Sequence, residues 1–230
     1  MRIGITERGD AGLDHMWLEK LSSGVVDYAI LITKDPDKLV GLQYLNNIII
    51  HCTITNLGTD WEPNVPDTRA SLKAYESLVG LYGGDKVVLR VDPVIPVEPY
   101  LVLADYVIRR RLGRVRISFM DMYPHVRTRH MKEFGRPFDL WTGLHAPLTT
   151  RKEALRLLER SGPIEVCGEP DIPCTGCVSK LDLDALGLET SIKYPLKGQR
   201  KYCSCLAVKT ELLGNRHPCA HGCLYCYWKD

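Results

Sequence analysis

The chain has no apolar run approaching the ~18–20 residues that a membrane-spanning helix needs, and its first ten residues contain no apolar stretch of the kind a secretion signal carries. Neither a membrane span nor a signal peptide is expected, and the expected location is the cytoplasm. An excess of charge is missing too: 30 Lys and Arg against 28 Asp and Glu leave a formal net charge of +2, which selects no class of partner. Two basic runs, Arg109-Arg110-Arg111 with Arg114 and Arg116, and Arg127-Thr128-Arg129-His130-Met131-Lys132, could touch the phosphates of a nucleic acid, but a solvated helix face accounts for them as well. The His-and-carboxylate spacing of hydrolytic metal sites is also absent.

Cysteine is abundant instead. The chain has nine, and all but Cys52 lie between Cys167 and Cys226. In a reducing compartment such a concentration points to metal binding more than to disulfides. Cys52 sits inside an apolar run and is expected to be ordinary core.

Apolar, β-branched runs bounded by turn residues recur at 2–6, 25–33, 47–55, 86–91, 114–120 and 163–167. Most are nearly continuous in apolar content, as parallel strands covered on both faces are. Helical patterns separate them. The weakest is 15–22. A helix over 35–46 would be capped by Asp35, with Leu39, Leu42 and Leu45 inward; Pro66-Asp67 opens one carrying Leu72, Tyr75 and Leu78. Pro99 opens another that Gly113 ends, and Thr150 with Glu153 reads as a capping box. Alternating strands and helices imply a parallel sheet with right-handed crossovers. The expected fold is α/β: a partial TIM-like (β/α)6 barrel over 1–167, with an open doubly wound sheet as the runner-up. From 168 to 230 the texture turns to cysteine, proline and glycine, with too few apolar residues to fold by packing alone. A cysteine-rich cap docked on the barrel mouth, stabilised by bound metal, is expected there.

In such barrels chemistry gathers at the carboxyl ends of the strands. Those ends carry Thr33-Lys34-Asp35, Thr55-Asn56, Arg90 with Asp92, Ser118 with Asp121, and Glu169 with Asp171. A period of two puts His51, Thr53 and Thr55 on one face of their strand. Polar side chains facing a barrel lumen are costly unless they bind one another, water or a ligand.

The end of the chain reads Cys219-x3-Cys223-x2-Cys226, with Tyr225 just before the third cysteine. This resembles the loop by which radical S-adenosylmethionine (SAM) enzymes hold a [4Fe-4S] cluster on three thiolates, leaving one iron open for SAM. In that superfamily the loop usually follows the first barrel strand; here it comes last. The islands 32–36, 53–56, 60–66, 90–93 and 118–123, together with the terminal cysteines, resemble the domain-of-unknown-function family eighteen forty-eight over nearly the whole chain. Arg8 and Asp10 match that family's opening pattern, whereas Cys177 stands where the family tends to have glycine. The resemblance implies a radical-SAM-like barrel but no established reaction.

The cofactors expected from these readings are SAM and one or two [4Fe-4S] clusters. Cys219, Cys223 and Cys226 would hold the first, a zinc site completed by His217, His221 or a fourth cysteine being the alternative. Cys167, Cys174, Cys177, Cys203 and Cys205 offer five thiols for a second cluster or a structural zinc, with Cys174, Cys203 and Cys205 as central members and Cys177 or Cys167 as the fourth. Tyr225 would pack near the adenine, as the aromatic at that place does in radical SAM enzymes. Arg90, or Lys34, would take the SAM carboxylate, and Asn56, Asn64, Ser118 and Asp121 are further candidates for the cofactor site. The expected function is reductive cleavage of SAM to a 5′-deoxyadenosyl radical, followed by hydrogen abstraction from an unassigned substrate. The alternative is a non-catalytic iron–sulfur electron-transfer or zinc-binding protein. A ferredoxin or flavodoxin would be the electron donor; nucleic acid is a further candidate partner, and a membrane is not expected.

Overall fold

The computed structural model describes residues 2–188, 202, 204–206, 208–214 and 219–228, so Cys203 and His217 lie outside it. Among these residues the strands are β1 (Ile3–Ile5), β2 (Tyr28–Thr33), β3 (Ile48–Thr53), β4 (Val87–Val94), β5 (Val115–Phe119), β6 (Glu165–Val166) and β7 (Lys209–Glu211). The helices are α1 (Met16–Ser22), α2 (Asp37–Val40), α3 (Thr68–Tyr82), α4 (Tyr100–Ile108), α5 (Pro124–Phe134), α6 (Leu148–Leu158) and α7 (Lys180–Ala185). All strands pair in parallel in one curled sheet of order β6-β5-β4-β3-β2-β1-β7, the arrangement of a partial barrel.

The alternation of side chains along the strands separates two cores. Ala29, Leu31, Ile50, Leu89, Val91 and Ile117 face outward, where Trp17, Tyr75, Leu78, Val107 and Leu158 of the surrounding helices cover them; Cys52 is in this layer, as ordinary core. On the inner face, Ile3, Ile5, Ile30, Ile32, Ile49 and Val88 meet Cys167, Cys177, Val178, Leu183 and Cys205. The stretch that contains α7 therefore fills the concave side of the sheet.

Local chemistry sets the boundaries. Asp67 caps α3 by accepting the amides of Arg69 and Ala70, as expected for an Asp at that place. The expected helix over 35–46 shrinks to α2 because Gly41, the residue that follows it, costs about 1 kcal/mol in a helix interior relative to Ala; Leu42 and Leu45 still pack on the outer core. The expected capping box at Thr150 is not formed. α6 begins earlier, after Pro147, and Glu153 pairs instead with Arg156. The seventh strand adds to the six expected. Lys209, Thr210 and Glu211 pair with Ile3, Gly4 and Ile5, so the polypeptide leaves β7 at the same end of the sheet as every other strand.

Candidate functional site

The carboxyl ends of all seven strands open onto one cavity of about 770 Å³. Its wall includes the segment Thr6–Asp10 after β1, Lys34 after β2, Thr53 of β3, Arg90 and Asp92 of β4, Ser118 and Asp121 at the end of β5, and Cys167 and Glu169 after β6. The remaining side is closed by the terminal loop, from which Cys219, Cys223, Tyr225 and Cys226 face the same space. The structure thus brings the three cysteines of the terminal motif together with Lys34, Arg90, Ser118 and Asp121.

The terminal loop is fastened along its length: at its far end the Cys226 carbonyl accepts from Arg129 at 2.7 Å, and two further fastenings lie around its first two cysteines. His221, between the first two cysteines, sends Nε2 to Asp10 Oδ2 at 2.8 Å, and its Nδ1 faces the Asn64 carbonyl at 3.2 Å. Asp10 also accepts from the Gly12 amide at 2.8 Å, the Thr33 hydroxyl at 2.7 Å and the Lys34 amide at 2.6 Å. Burial opposes the Asp10 charge, but the His221 bond and charge hold its carboxyl below the usual range; burial likewise opposes the imidazolium, and Asp10 keeps it above its ordinary value. On the other side Asn64 Nδ2 donates to the Ala220 carbonyl at 2.8 Å, and the Leu224 amide donates to the Trp61 carbonyl at 3.0 Å. Gly222, at φ 61°, takes the left-handed turn between the second fastening and Cys223.

Beside this loop lies a charged group. Lys34 Nζ donates to Glu62 Oε1 at 2.8 Å, the Tyr225 hydroxyl donates to the same oxygen, and the Thr55 hydroxyl donates to Oε2 at 2.5 Å. Lys34 also stands over the Tyr225 ring, 5.1 Å from its centre. Burial would push Lys34 down, yet the Glu62 carboxylate, then Cys223, hold its pKa above the ordinary value. Burial pushes the Cys223 thiol up to about 11, with Lys34 pulling the other way. Arg90 pairs with Asp92, and Ser118 donates to the same carboxylate. Asp121 meets His145 Nδ1 at 2.6 Å.

Other expected residues stand elsewhere. Asn56 accepts from Thr68 at 3.0 Å near the start of α3 and is not part of the cavity wall; Asn64 is a fastening of the loop. Cys174 turns its sulfur into its own turn, against Glu169 and Ile172. The Cys167 and Cys177 sulfurs are in contact at 3.3 Å, and Cys205 accepts the Cys177 amide at 3.1 Å. Among the described residues no three His, Cys, Asp or Glu side chains surround a point as the ligands of one ion. Sequence reasoning missed the Asp10–His221 pair and the role of Glu62. The available signal was their place: a carboxylate in each of the loops that follow β1 and β3.

Glu169 carries the first testable consequence. It is 5% exposed, accepts the Phe119 amide at 2.7 Å, and meets Arg151 at 2.9 Å. Burial outweighs both partners and lifts its pKa from 4.5 to about 7. A carboxyl raised on folding holds its proton more tightly in the folded chain, so its stabilisation is complete below pH 4.5 and is lost as pH rises through about 7. The shift corresponds to about 3 kcal/mol. Between pH 4.5 and 8, urea melts should show wild type losing that amount relative to Glu169→Gln; a constant difference would refute the assignment.

The model of one family, described as Domain of unknown function (DUF1848), matches residues 14–228. No curated protein and no solved structure matches the chain.

Proposed function

We propose that this chain, which belongs to the DUF1848 family, is a radical SAM-type iron–sulfur enzyme with its cluster on Cys219, Cys223 and Cys226. The observation that carries this reading is the position of β7. In space the sheet begins β7-β1-β2, and the cysteine loop follows β7 and turns over the carboxyl ends of the strands. A loop that is last in sequence is therefore attached after the first strand in space, the relation that radical SAM enzymes have.

A [4Fe-4S] cluster on three thiolates keeps one iron for the amino and carboxylate groups of SAM and supplies the electron that splits it to a 5′-deoxyadenosyl radical. The thiolates of such a cluster sit on different irons and need not converge as the ligands of one ion do, and three thiols along one cavity wall suit it. His221 has both ring nitrogens engaged, with Asp10 and with the Asn64 carbonyl, which leaves it no lone pair for a metal at this loop.

The chain's own residues then hold and orient. Asp10 and Asn64 fix the loop against β1 and the β3–α3 connection. Glu62 sets Lys34 and Tyr225 side by side, where the ammonium favours the Cys223 thiolate and can meet an anionic group in the cavity. Arg90 offers a second cation at the same wall, oriented by Asp92. The cavity is within the range of small-molecule sites, about 300–1,000 Å³, and its apolar and aromatic residues would exclude water from a reactive radical. A reduced ferredoxin or flavodoxin is the expected electron donor.

Anaerobic reconstitution tests this. About four irons and four sulfides per chain are expected, with release of 5′-deoxyadenosine from SAM under dithionite, and both lost in Cys223→Ala. Zinc at the terminal loop without iron or sulfide would overturn the reading. A loaded protein that leaves SAM intact would make it an electron-transfer protein.

A further inference from the structure

Away from the terminal loop, the same cavity is lined by two thiols that the reading above does not use. Cys167 follows β6 and Cys177 precedes α7; both are buried, both form part of the cavity wall, and their sulfurs touch at 3.3 Å. The backbone is built for this contact. Gly176 has φ 75°, and a Cβ there would stand 2.6 Å from the backbone nitrogen of Cys205, so the two segments approach at a spacing no side chain permits. Cys177 is pinned from behind, its amide donating to Cys205 Sγ at 3.1 Å and its carbonyl accepting from Arg116 at 3.1 Å. Cys174 keeps its sulfur within its own turn and takes no part.

Both thiols keep their protons. Contact with Cys177, then burial, holds Cys167 well above the ordinary thiol value. Contact with Cys167 pulls Cys177 down, but contact with Cys205 and burial outweigh it and lift that thiol to about 11. A buried, protonated thiol is a poor nucleophile and a poor metal ligand. Its S–H bond, however, is weaker than a carbon–hydrogen bond, so it gives a hydrogen atom readily to a carbon radical. A ligand also has polar groups to meet beside the pair. Arg90 is close enough to bring charge to both thiols, and Thr53, its neighbour in register, is 2% exposed, lines the cavity and has a hydroxyl with no partner. A buried hydroxyl of this kind calls for a ligand or water.

We infer that Cys167 gives a hydrogen atom to a carbon-centred substrate radical in the cavity and that Cys177 captures the sulfur radical left behind; this rests on the radical reading above and names a catalytic residue for it. The substrate radical takes the hydrogen of the Cys167 thiol, so one S–H bond breaks and one C–H bond forms. Cys177 then loses its proton, its sulfur bonds to that of Cys167, and the surplus electron leaves to an oxidised one-electron carrier of the ferredoxin or flavodoxin class. The product is a Cys167–Cys177 disulfide, which a dithiol reductant returns to two thiols by exchange. The surroundings set the order within the pair. Cys177 is fixed at its amide and its carbonyl, whereas Cys167 stands at the carboxyl end of a barrel strand, among the residues that face a substrate.

Two measurements test this, one of them without any cofactor. In the metal-free chain, diamide should link Cys167 to Cys177, read by peptide mapping under non-reducing conditions; another partner for Cys167, or none, would overturn the capture step. In the cluster-loaded chain equilibrated in deuterium oxide, SAM alone is the probe, and the carbon radical formed from it stands in for that of the substrate. Hydrogens on sulfur exchange with solvent and those on carbon do not, so the 5′-deoxyadenosine released should carry one deuterium. The deuterated fraction should be lost in Cys167→Ser, and because it does not depend on how much product is made, it reads the donor rather than the folding of the variant. Cys174→Ser should keep it, and loss there would refute the assignment. Unlabelled 5′-deoxyadenosine from wild type would overturn the inference and leave the radical reading standing, whereas no 5′-deoxyadenosine at all would overturn both.

Discussion

Asp10→Asn is expected to destabilise the chain by about 3–5 kcal/mol and to abolish stable iron and sulfide retention. Asp10 is 5% exposed, and its two oxygens accept from two amides, a hydroxyl and His221. Both nitrogens of His221 face acceptors, Asp10 and the Asn64 carbonyl, so the ring carries both protons and the pair is ionic. Asparagine has one acceptor oxygen, and its amide nitrogen would point hydrogens at the donors Oδ2 now satisfies. A buried imidazolium without its counter-charge is the costly outcome, because breaking one side of a buried pair strands the other. Asn64→Ala is the control: it removes one hydrogen bond to the Ala220 carbonyl at the other fastening and should cost about 1 kcal/mol. Urea unfolding and an iron count on both variants decide the matter, and an Asp10→Asn chain within about 1 kcal/mol of wild type that keeps its iron would refute the anchor.

The same anchor shows what could be read from the chain and what could not. The strands β2, β3 and β4 were legible because both faces are buried and their sequences are nearly unbroken apolar runs. Arg90, Ser118, Asp121 and Lys34 were legible as wall residues because strand ends in a parallel barrel share one face. β7 was not. Lys-Thr-Glu has no strand signal of its own, and it becomes a strand through pairing with β1 and the Lys209–Glu7 contact at 2.5 Å. Asn56 and Asn64 were placed in the cofactor site from position alone, but a side-chain amide takes whichever backbone or hydroxyl partner the tertiary fold presents, here Thr68 and Ala220. Spacing likewise could not tell Cys174 from Cys167. Which thiols meet depends on the left-handed turns at Gly168 and Gly176, not on the number of residues between cysteines.

These details give one physical account of an unusual order along the chain. The cysteine loop over 219–226 is held by side chains from distant parts of the sequence. Here a short strand supplies the direction, and a buried contact from the loop after β1 together with an exposed one from the loop after β3 supplies the position. The residues that do this are polar and far apart in sequence, which is why they carry little local signal.

Arg116→Met is expected to cost about 3–5 kcal/mol at pH 7, through loss of the buried network that ties α7 into the concave side of the sheet. Arg116 is fully buried; it bonds Glu165, reaches Asp182 at 3.0 Å and the Cys177 carbonyl at 3.1 Å, and donates to His51 at 3.2 Å. Burial, then the neighbouring guanidinium, keeps His51 well below its ordinary pKa, so the ring is neutral and accepts that bond. Arg114 also reaches Glu165 and Asp182 and survives the substitution, so two carboxylates would share one cation. Burial would raise Asp182, but Arg116 first, with Arg114, depresses it from 3.8 to about 2. A depressed carboxyl contributes stability above its unfolded pKa and loses it as pH falls through the folded one, a contribution of about 2 kcal/mol here. The difference between wild type and Arg116→Met should therefore narrow as pH drops from about 4 to about 2, the window set by those two values. Denaturant melts across that window measure it, and amide exchange over 180–188 should rise in the variant as α7 loosens. A difference that stays constant with pH would mean Arg116 acts through packing alone, and unchanged exchange would mean α7 is held by Leu183 and Val178 in the inner core rather than by charge.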